Sequence, residues 1–355
     1  MKQHIDKTTG LVNDGSSAHI GTVLGLARTL ESFNLDSVAI FAQAGLDLKL
    51  IEQTHERIST DIVNSILKLT LDQHIIPCFG LRYANNVFPL SYEEFGAALL
   101  ASANLREFCL RLARDYSFIN SNEVVGFEED EKGGVLYFQA EAKTTNSQQL
   151  NLQCSGTLAT WLCMIRMMYN PDYHPEKVAL QSADPGTFRD EYESFFGCPL
   201  SFLSDRSYIR FNNHDLDFQL PGSNPSLARF NDNMVMKYLA EQGQTSICTQ
   251  IKICLLEQLP KGAYNIDEIA QLLNISVSDL AQALQLEHTS LTAIVLTIRQ
   301  ELVMEYIHRK DLSISAIAHL LGFSDCSNFS RSFKLWHGIS PSEYREHAPS
   351  IKQQH

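Results

Sequence analysis

SISAIAHLLGFSDCSNFSRSFKLWHGISPSEYR, residues 313–345, decides how the rest of the chain is read. Ile314, Ile317, Ala318 and Leu321 fall on one face of a helix, and Gly322 sits where a chain must turn through positive φ. Ser324 is placed to cap a second helix starting at Asp325. In that second helix Phe329, Phe333 and Trp336 recur at helical spacing and face inward. Cys326, Ser327, Asn328, Ser330, Arg331 and Lys334 are left outside. Hydroxyls, an amide and two cations on an outer helical face suit the major groove of DNA, where Arg pairs with guanine, Asn with adenine and Lys with phosphate. A solvated amphipathic helix shows a similar pattern in isolation.

A repeat separates the two readings. Ile269–Ser276, IAQLLNIS, aligns without a gap on Ile317–Ser324, IAHLLGFS, with five of eight residues identical. Asn274 stands where the later copy has Gly322, and these two residue types enter the left-handed conformation most readily. Between the copies, Ala293–Arg309 contains no Pro or Gly and carries Ile294, Ile298, Leu302 and Tyr306 at helical spacing. A helix of that length spans roughly 25 Å, somewhat less than the roughly 34 Å between successive major-groove faces. Two helix-turn-helix units, 266–287 and 314–337, are therefore expected on one all-α domain covering 251–349.

This ending resembles the DNA-binding domain of the AraC/XylS family of transcriptional regulators. Gly322, Phe323, Ser324, Phe329, Ser330, Phe333, Lys334, Gly338, Pro341, Tyr344 and Arg345 stand where the family pattern expects those residue types. The resemblance implies DNA-facing roles for Ser327, Asn328, Ser330, Arg331 and Lys334, the residues that the helical periodicity already leaves outside. The first unit departs from the pattern, because its second helix, SVSDLAQALQL, has neither Lys nor Arg and exposes Asp279. Phosphates repel such a carboxylate; Ser278 and Gln282 remain as candidate base readers.

Charge narrows the partners. The 355 residues carry a net charge of −13, and residues 241–355 hold nine Lys and Arg against twelve Asp and Glu. Non-specific DNA affinity is expected to be low, salt dependent and confined to a small basic face. The eight cysteines form no CxxC pair and have no His at metal-ligand spacing, which points to a reduced, cytoplasmic protein with neither metal nor cofactor. Residues 1–18 read as a flexible arm without a signal peptide or membrane anchor.

Residues 19–240 mix helices with short strands and are expected to form an α+β effector-binding and dimerisation domain, followed by a linker over 241–250. Val63–Leu71, Tyr92–Leu100, Leu105–Tyr116, Leu152–Tyr169 and Phe188–Phe196 read as helices. Val124–Glu128 and Val135–Glu141 read as a hairpin turning at Gly133 and Gly134; Val178–Leu180 and two segments of Leu200–Phe211 read as strands. AGLDLKLIE from residue 44, FGLRYA at 79–84, FFGCPLSF at 195–202 and LDFQLPGSNPSL at 216–227 carry a second resemblance. It is to the arabinose-binding-type regulatory domain of family members similar to ornithine-utilisation and virulence regulators, and it implies effector sensing and homodimerisation without making arabinose the ligand.

Leu152–Tyr169 is apolar nearly all round, so it should be buried. It leaves two readings open: plain core with Arg166 reaching the surface or a carboxylate, or a pocket wall in which Trp161 and Arg166 receive an acidic effector. No GxSxG, HExxH, GxGxxG or GxxxxGKS motif occurs, so no enzyme is expected. The pattern as a whole implies a regulator, by family habit an activator, that binds promoter DNA and a small-molecule effector and acts on RNA polymerase. A protein-interaction module that has lost operator binding is the alternative, and the Asn328, Arg331 and Lys334 face argues against it.

Overall fold

The computed structural model describes residues 16–51, 57–74, 76–139, 147–242, 247–261, 265–309 and 311–347. The chain divides into two compact units, Met1–Val235 and Met236–His355.

The first unit is α+β. Its sheet runs, in spatial order, Val124–Asp130, Gly133–Gln139, Ser207–Asn212, Lys177–Ala179 and Leu200–Ser201. All neighbours are antiparallel except the last pair, which is parallel. The first two strands form the expected hairpin, with one difference at its tip. Gly133 pairs with Asp130 and Gly134 with Glu129, so both glycines lie in the strand and the turn falls on Glu131 and Lys132. They are glycines because the sheet is crowded there: a Cβ on Gly133 would lie 1.9 Å from the Phe211 carbonyl oxygen, and one on Gly134 would lie 2.5 Å from the Phe127 ring.

Ser147–Met168 is one long helix, and it is buried as its composition requires: Leu158, Ala159, Trp161, Leu162 and Ile165 are almost wholly enclosed. It crosses the short helix Phe79–Ala84 closely enough that a Cβ on Gly80 would lie 2.2 Å from Ser155 Oγ. Helices Ile20–Ser32 and Thr60–Gln73 complete the wall around a core that includes Val23, Leu26, Leu30, Phe41, Ile58 and Ile66. Ser17 and Ala18 are buried and pair antiparallel with Ser59 and Ile58, so the arm expected over 1–18 is tied into the fold by residue 17. Residues 1–15 lie outside the described residues, as do 243–246 of the expected linker; Ile247 already opens the helix Ile247–Gln258.

The second unit is all helix. Ile266–Leu272 and Val277–Leu286 form the first helix-turn-helix, Ile314–Leu320 and Cys326–His337 the second, and Leu291–Tyr306 joins them. Both turns pass through positive φ, at 54° for Asn274 and 67° for Gly322. Two small cores hang on the joining helix, one containing Ile251, Leu255, Ile269, Leu280, Leu284 and Ile298, the other Val303, Ile307, Ile317, Leu321, Phe329 and Phe333. Val295 and Ile298 of the rod are buried in the first core, and Val303 with Ile307 just past the rod's end in the second, while Ile294, Leu302 and Tyr306 of the expected stripe are only half-buried. At 16 residues the rod spans about 24 Å.

The two turns differ in what surrounds them. A Cβ on Gly322 would lie 2.5 Å from the Leu259 carbonyl oxygen, in addition to the strain of its φ. Asn274 is exposed. Gly322→Asn is therefore expected to destabilise the second unit by about 1–3 kcal/mol, and Asn274→Gly by less than about 1 kcal/mol. Urea unfolding of the two variants checks the order, and equal losses would mean that Leu259 does not constrain the turn.

Candidate nucleic-acid interface and candidate effector chamber

The second reading helix begins one residue later than its sequence suggests. Asp325, not Ser324, is the N-cap: its Oδ1 accepts from the Asn328 backbone N–H at 2.7 Å, and that bond holds the Asp325 carboxyl below the usual range. Ser324 Oγ instead accepts from Asn328 Nδ2 at 2.9 Å. In the first helix-turn-helix Ser276 is the cap, accepting from the Asp279 N–H at 3.0 Å, so the cap there lies two residues after the turn residue rather than three. The shared octapeptide hides this shift because both copies end in Ser.

Phe329 and Phe333 are completely buried and Trp336 partly so, which fixes the rotation of Cys326–His337. Ser327, Arg331 and Lys334 are exposed, and Asn328, Ser330 and Cys326 are half-buried. Asn328 and Arg331 are bonded to each other, with Arg331 Nη2 donating to Asn328 Oδ1 at 2.6 Å. A shallow depression beside them is lined by Arg299, Phe323, Ser324, Asn328, Arg331 and Leu335. Leu335, 85% exposed, adds an apolar side chain to this side that hydropathy alone did not single out. Ser278 and Gln282 of the first unit are both exposed on Val277–Leu286.

Two arginines hold this face without belonging to it. Arg299, on the joining helix, donates from Nε to the Leu321 carbonyl at 2.9 Å and from Nη2 to the Gly322 carbonyl at 2.7 Å, and its guanidinium stacks 4.1 Å from the Phe323 ring centre. It satisfies carbonyls that the end of Ile314–Leu320 leaves open. Arg345 donates to the Ile307 and Leu312 carbonyls at 2.9 and 2.8 Å. Lys252 and Arg309 pair with Glu301 and Asp311. Much of the modest cationic content of this unit is thus engaged internally, while Arg331 and Lys334 remain on the reading helix.

In the first unit a chamber of about 160 Å³ opens between Ile20–Ser32, Thr60–Gln73, Leu105–Asp115 and Ser147–Met168. Trp161 lines it, as the second reading of that helix expects. Arg166 does not. Its Nε donates to the Tyr173 carbonyl at 2.9 Å and its Nη2 to the Phe195 carbonyl at 2.8 Å, beside His174 Nδ1 at 3.5 Å. Those carbonyls occupy the guanidinium, so the pairing of Trp161 with Arg166 around an acidic effector is not what the geometry assembles.

The chamber wall carries Tyr83, Tyr92, Tyr116 and Glu123, none of which the periodicity of any one element pointed to. Glu123 Oε1 accepts from Asn120 Nδ2 and Gln153 Nε2, both at 2.9 Å. Burial pushes the Glu123 carboxyl above the usual range, against the opposing hydrogen bonds of Gln153, Tyr116 and Asn120. Glu123 is half-buried and lines the chamber. Burial likewise raises the phenols of Tyr83 and Tyr116 well above their ordinary value.

A chambered α+β unit joined to a double helix-turn-helix defines a DNA-binding transcriptional regulator with a ligand-binding domain. Residues 35–220 match the arabinose-binding N-terminal domain of AraC transcription regulators, and residues 269–347 match a helix-turn-helix domain. The chain belongs to the AraC family of transcriptional regulators. The ornithine utilization regulator of Pseudomonas aeruginosa is 24% identical over 357 residues, covering 98% of this chain and 99% of that one. The regulator VirS of Mycobacterium tuberculosis is 26% identical over 190 residues, 51% of this chain and 53% of its own. The crystal structure of the transcriptional regulator CdpR from Pseudomonas aeruginosa shares the fold, with a TM-score of 0.52 at 16% identity over 91% of this chain and 96% of that chain.

Replacing Arg331 by Ala is expected to weaken binding to a specific site by roughly 1–3 kcal/mol. Gln282→Ala should weaken it less, because its helix has no cation to hold it at the phosphates; fluorescence anisotropy with a labelled operator measures both. An equal or larger effect at Gln282 reverses the assignment. For Arg299→Lys the expected loss is roughly 1–3 kcal/mol of local stability, since one ammonium cannot reproduce the two-carbonyl fork or the stack. Amide hydrogen exchange should rise across 314–337 and stay unchanged across 266–287.

Proposed function

We propose that this chain is an effector-controlled transcriptional activator in which the second helix-turn-helix supplies most of the sequence readout. The observation that carries the reading is the exposed set Ser327, Arg331 and Lys334, together with half-buried Asn328 and Ser330, on a helix whose inner face is locked by Phe329 and Phe333. Ser278 and Gln282 add a weaker contact from the first unit, whose reading helix exposes Asp279 and no cation. Activation is supported by relatives named as activators: the transcriptional activator NphR of a Rhodococcus species and the urease operon transcriptional activator of Escherichia coli, 29% and 28% identical over 110 and 91 residues. The chain works in the cytoplasm as a homodimer, contacts RNA polymerase at its promoter, and takes its small-molecule effector in the chamber beside Trp161.

Control follows from differential affinity. An effector that binds one state of the chain better than another shifts DNA occupancy or polymerase contact by no more than that difference. For a coupling of about 1–3 kcal/mol the change is roughly 5- to 150-fold.

Selection of genomic DNA fragments by the purified protein at near-physiological salt tests the reading. One shared motif should be enriched, and Arg331→Ala should lose it. Failure to enrich any motif, both alone and with cell extract added as a source of effector, would instead favour a protein-interaction module.

A further inference from the structure

The chamber of the first unit carries charge at one point. Among the residues that line it, Glu123 is the one Asp, Glu, Lys, Arg or His. Its carboxyl is hydrogen-bonded by two neutral amides, those of Asn120 and Gln153, and by the Tyr116 hydroxyl, none of which brings a compensating charge. Arg57 is buried near the same elements, but it donates to Ser17 Oγ and to the carbonyls of Ser17, Ser117 and Phe118 and does not line the chamber. Among the described residues no ion pair involves Glu123.

Four rings share the chamber with this carboxyl. Tyr83, Tyr92, Tyr116 and Trp161 all line the chamber, and Tyr116 meets Trp161 edge to face at 5.9 Å and 88°. Aromatic faces attract cations through their quadrupole and disfavour anions. A carboxyl drawn out of water with no cation beside it is disfavoured in its charged form, and an ammonium ligand would supply the cation that restores it. Neutral hydrogen-bonding groups such as Asn64, Gln149 and Thr157 would serve a polyol, yet a polyol leaves the Glu123 charge uncompensated.

We infer that the chamber takes a small organic ammonium ligand, its nitrogen set at Glu123 among Tyr83, Tyr92, Tyr116 and Trp161 and its apolar body against Leu26, Val63, Leu67 and Met164. This inference rests on the reading that the chamber holds the effector, and it gives that effector a sign of charge.

Hexylamine, hexan-1-ol and hexanoate, matched in length and different in charge, are the probes. Isothermal titration calorimetry on the full chain should show hexylamine binding at least tenfold more tightly than hexan-1-ol, with hexanoate weakest. Glu123→Gln, checked for an unchanged thermal midpoint, should abolish the preference for the amine over the alcohol. Equal binding of all three, preference for hexanoate, or no saturable binding of the amine overturns the inference. The wild-type ranking decides the question even if Glu123→Gln does not fold. Hexylamine bound with the expected selectivity, but without effect on operator affinity or transcription, would uphold the ammonium site and remove the effector reading.

Discussion

A net charge of −13 constrains every part of this molecule that meets an ion. A polyanion repels such a chain, so groove contact depends on keeping carboxylates engaged and cations at the surface of one helix. Asp325 illustrates the solution. It stands at the entrance of the reading helix, where a bare carboxylate would face phosphates, but its oxygens accept from the Asn328 backbone N–H, the Asn328 amide and Ser324. As the N-cap it also compensates the positive end of the helix dipole. The same carboxylate therefore stabilises the helix and orders Asn328. Asn328 in turn accepts from Arg331, so the candidate reading residues form one connected set.

Local pattern made the DNA-binding unit legible and left the chamber dark. A helix-turn-helix is written in consecutive residues: a 3.6-residue period, one residue able to take positive φ, and a second period. Gly322 and Asn274 could be placed on that basis, and both adopt the left-handed conformation. Errors arose where equivalent local solutions competed. Ser324 and Asp325 are both good caps, and the backbone selects Asp325; Gly133 and Gly134 look like a turn, but the crowding that requires them comes from Phe211 and Phe127, distant in sequence.

The chamber is assembled from residues between Ala18 and Met164 on several helices and loops, so no window of sequence contains it. Trp161 was visible because its own helix is conspicuously apolar. Glu123 was not, since one acidic residue before a strand has no periodic signature. Arg166 was conspicuous as the lone cation of that helix, and nothing local revealed that the carbonyls of Tyr173 and Phe195 would claim it. Arg166 stays half-buried and takes backbone carbonyls where the plain-core reading expected the surface or a carboxylate.

The retention of a first helix-turn-helix without cations has a structural explanation. Each of the two cores of the second unit is small, and a core of that size rarely sustains a fold alone. The units are interlocked rather than merely joined. Leu302 packs against both cores, the Leu259 carbonyl lies directly over Gly322, and Arg299 reaches from the shared rod to fasten the turn beside it. Leu259 itself belongs to the first core. Val277–Leu286 carries no Lys or Arg, yet its Leu280 and Leu284 are buried in the first core. Loss of that core would remove the surface against which the second turn is set. The first helix-turn-helix therefore supports the second turn independently of any DNA contact of its own.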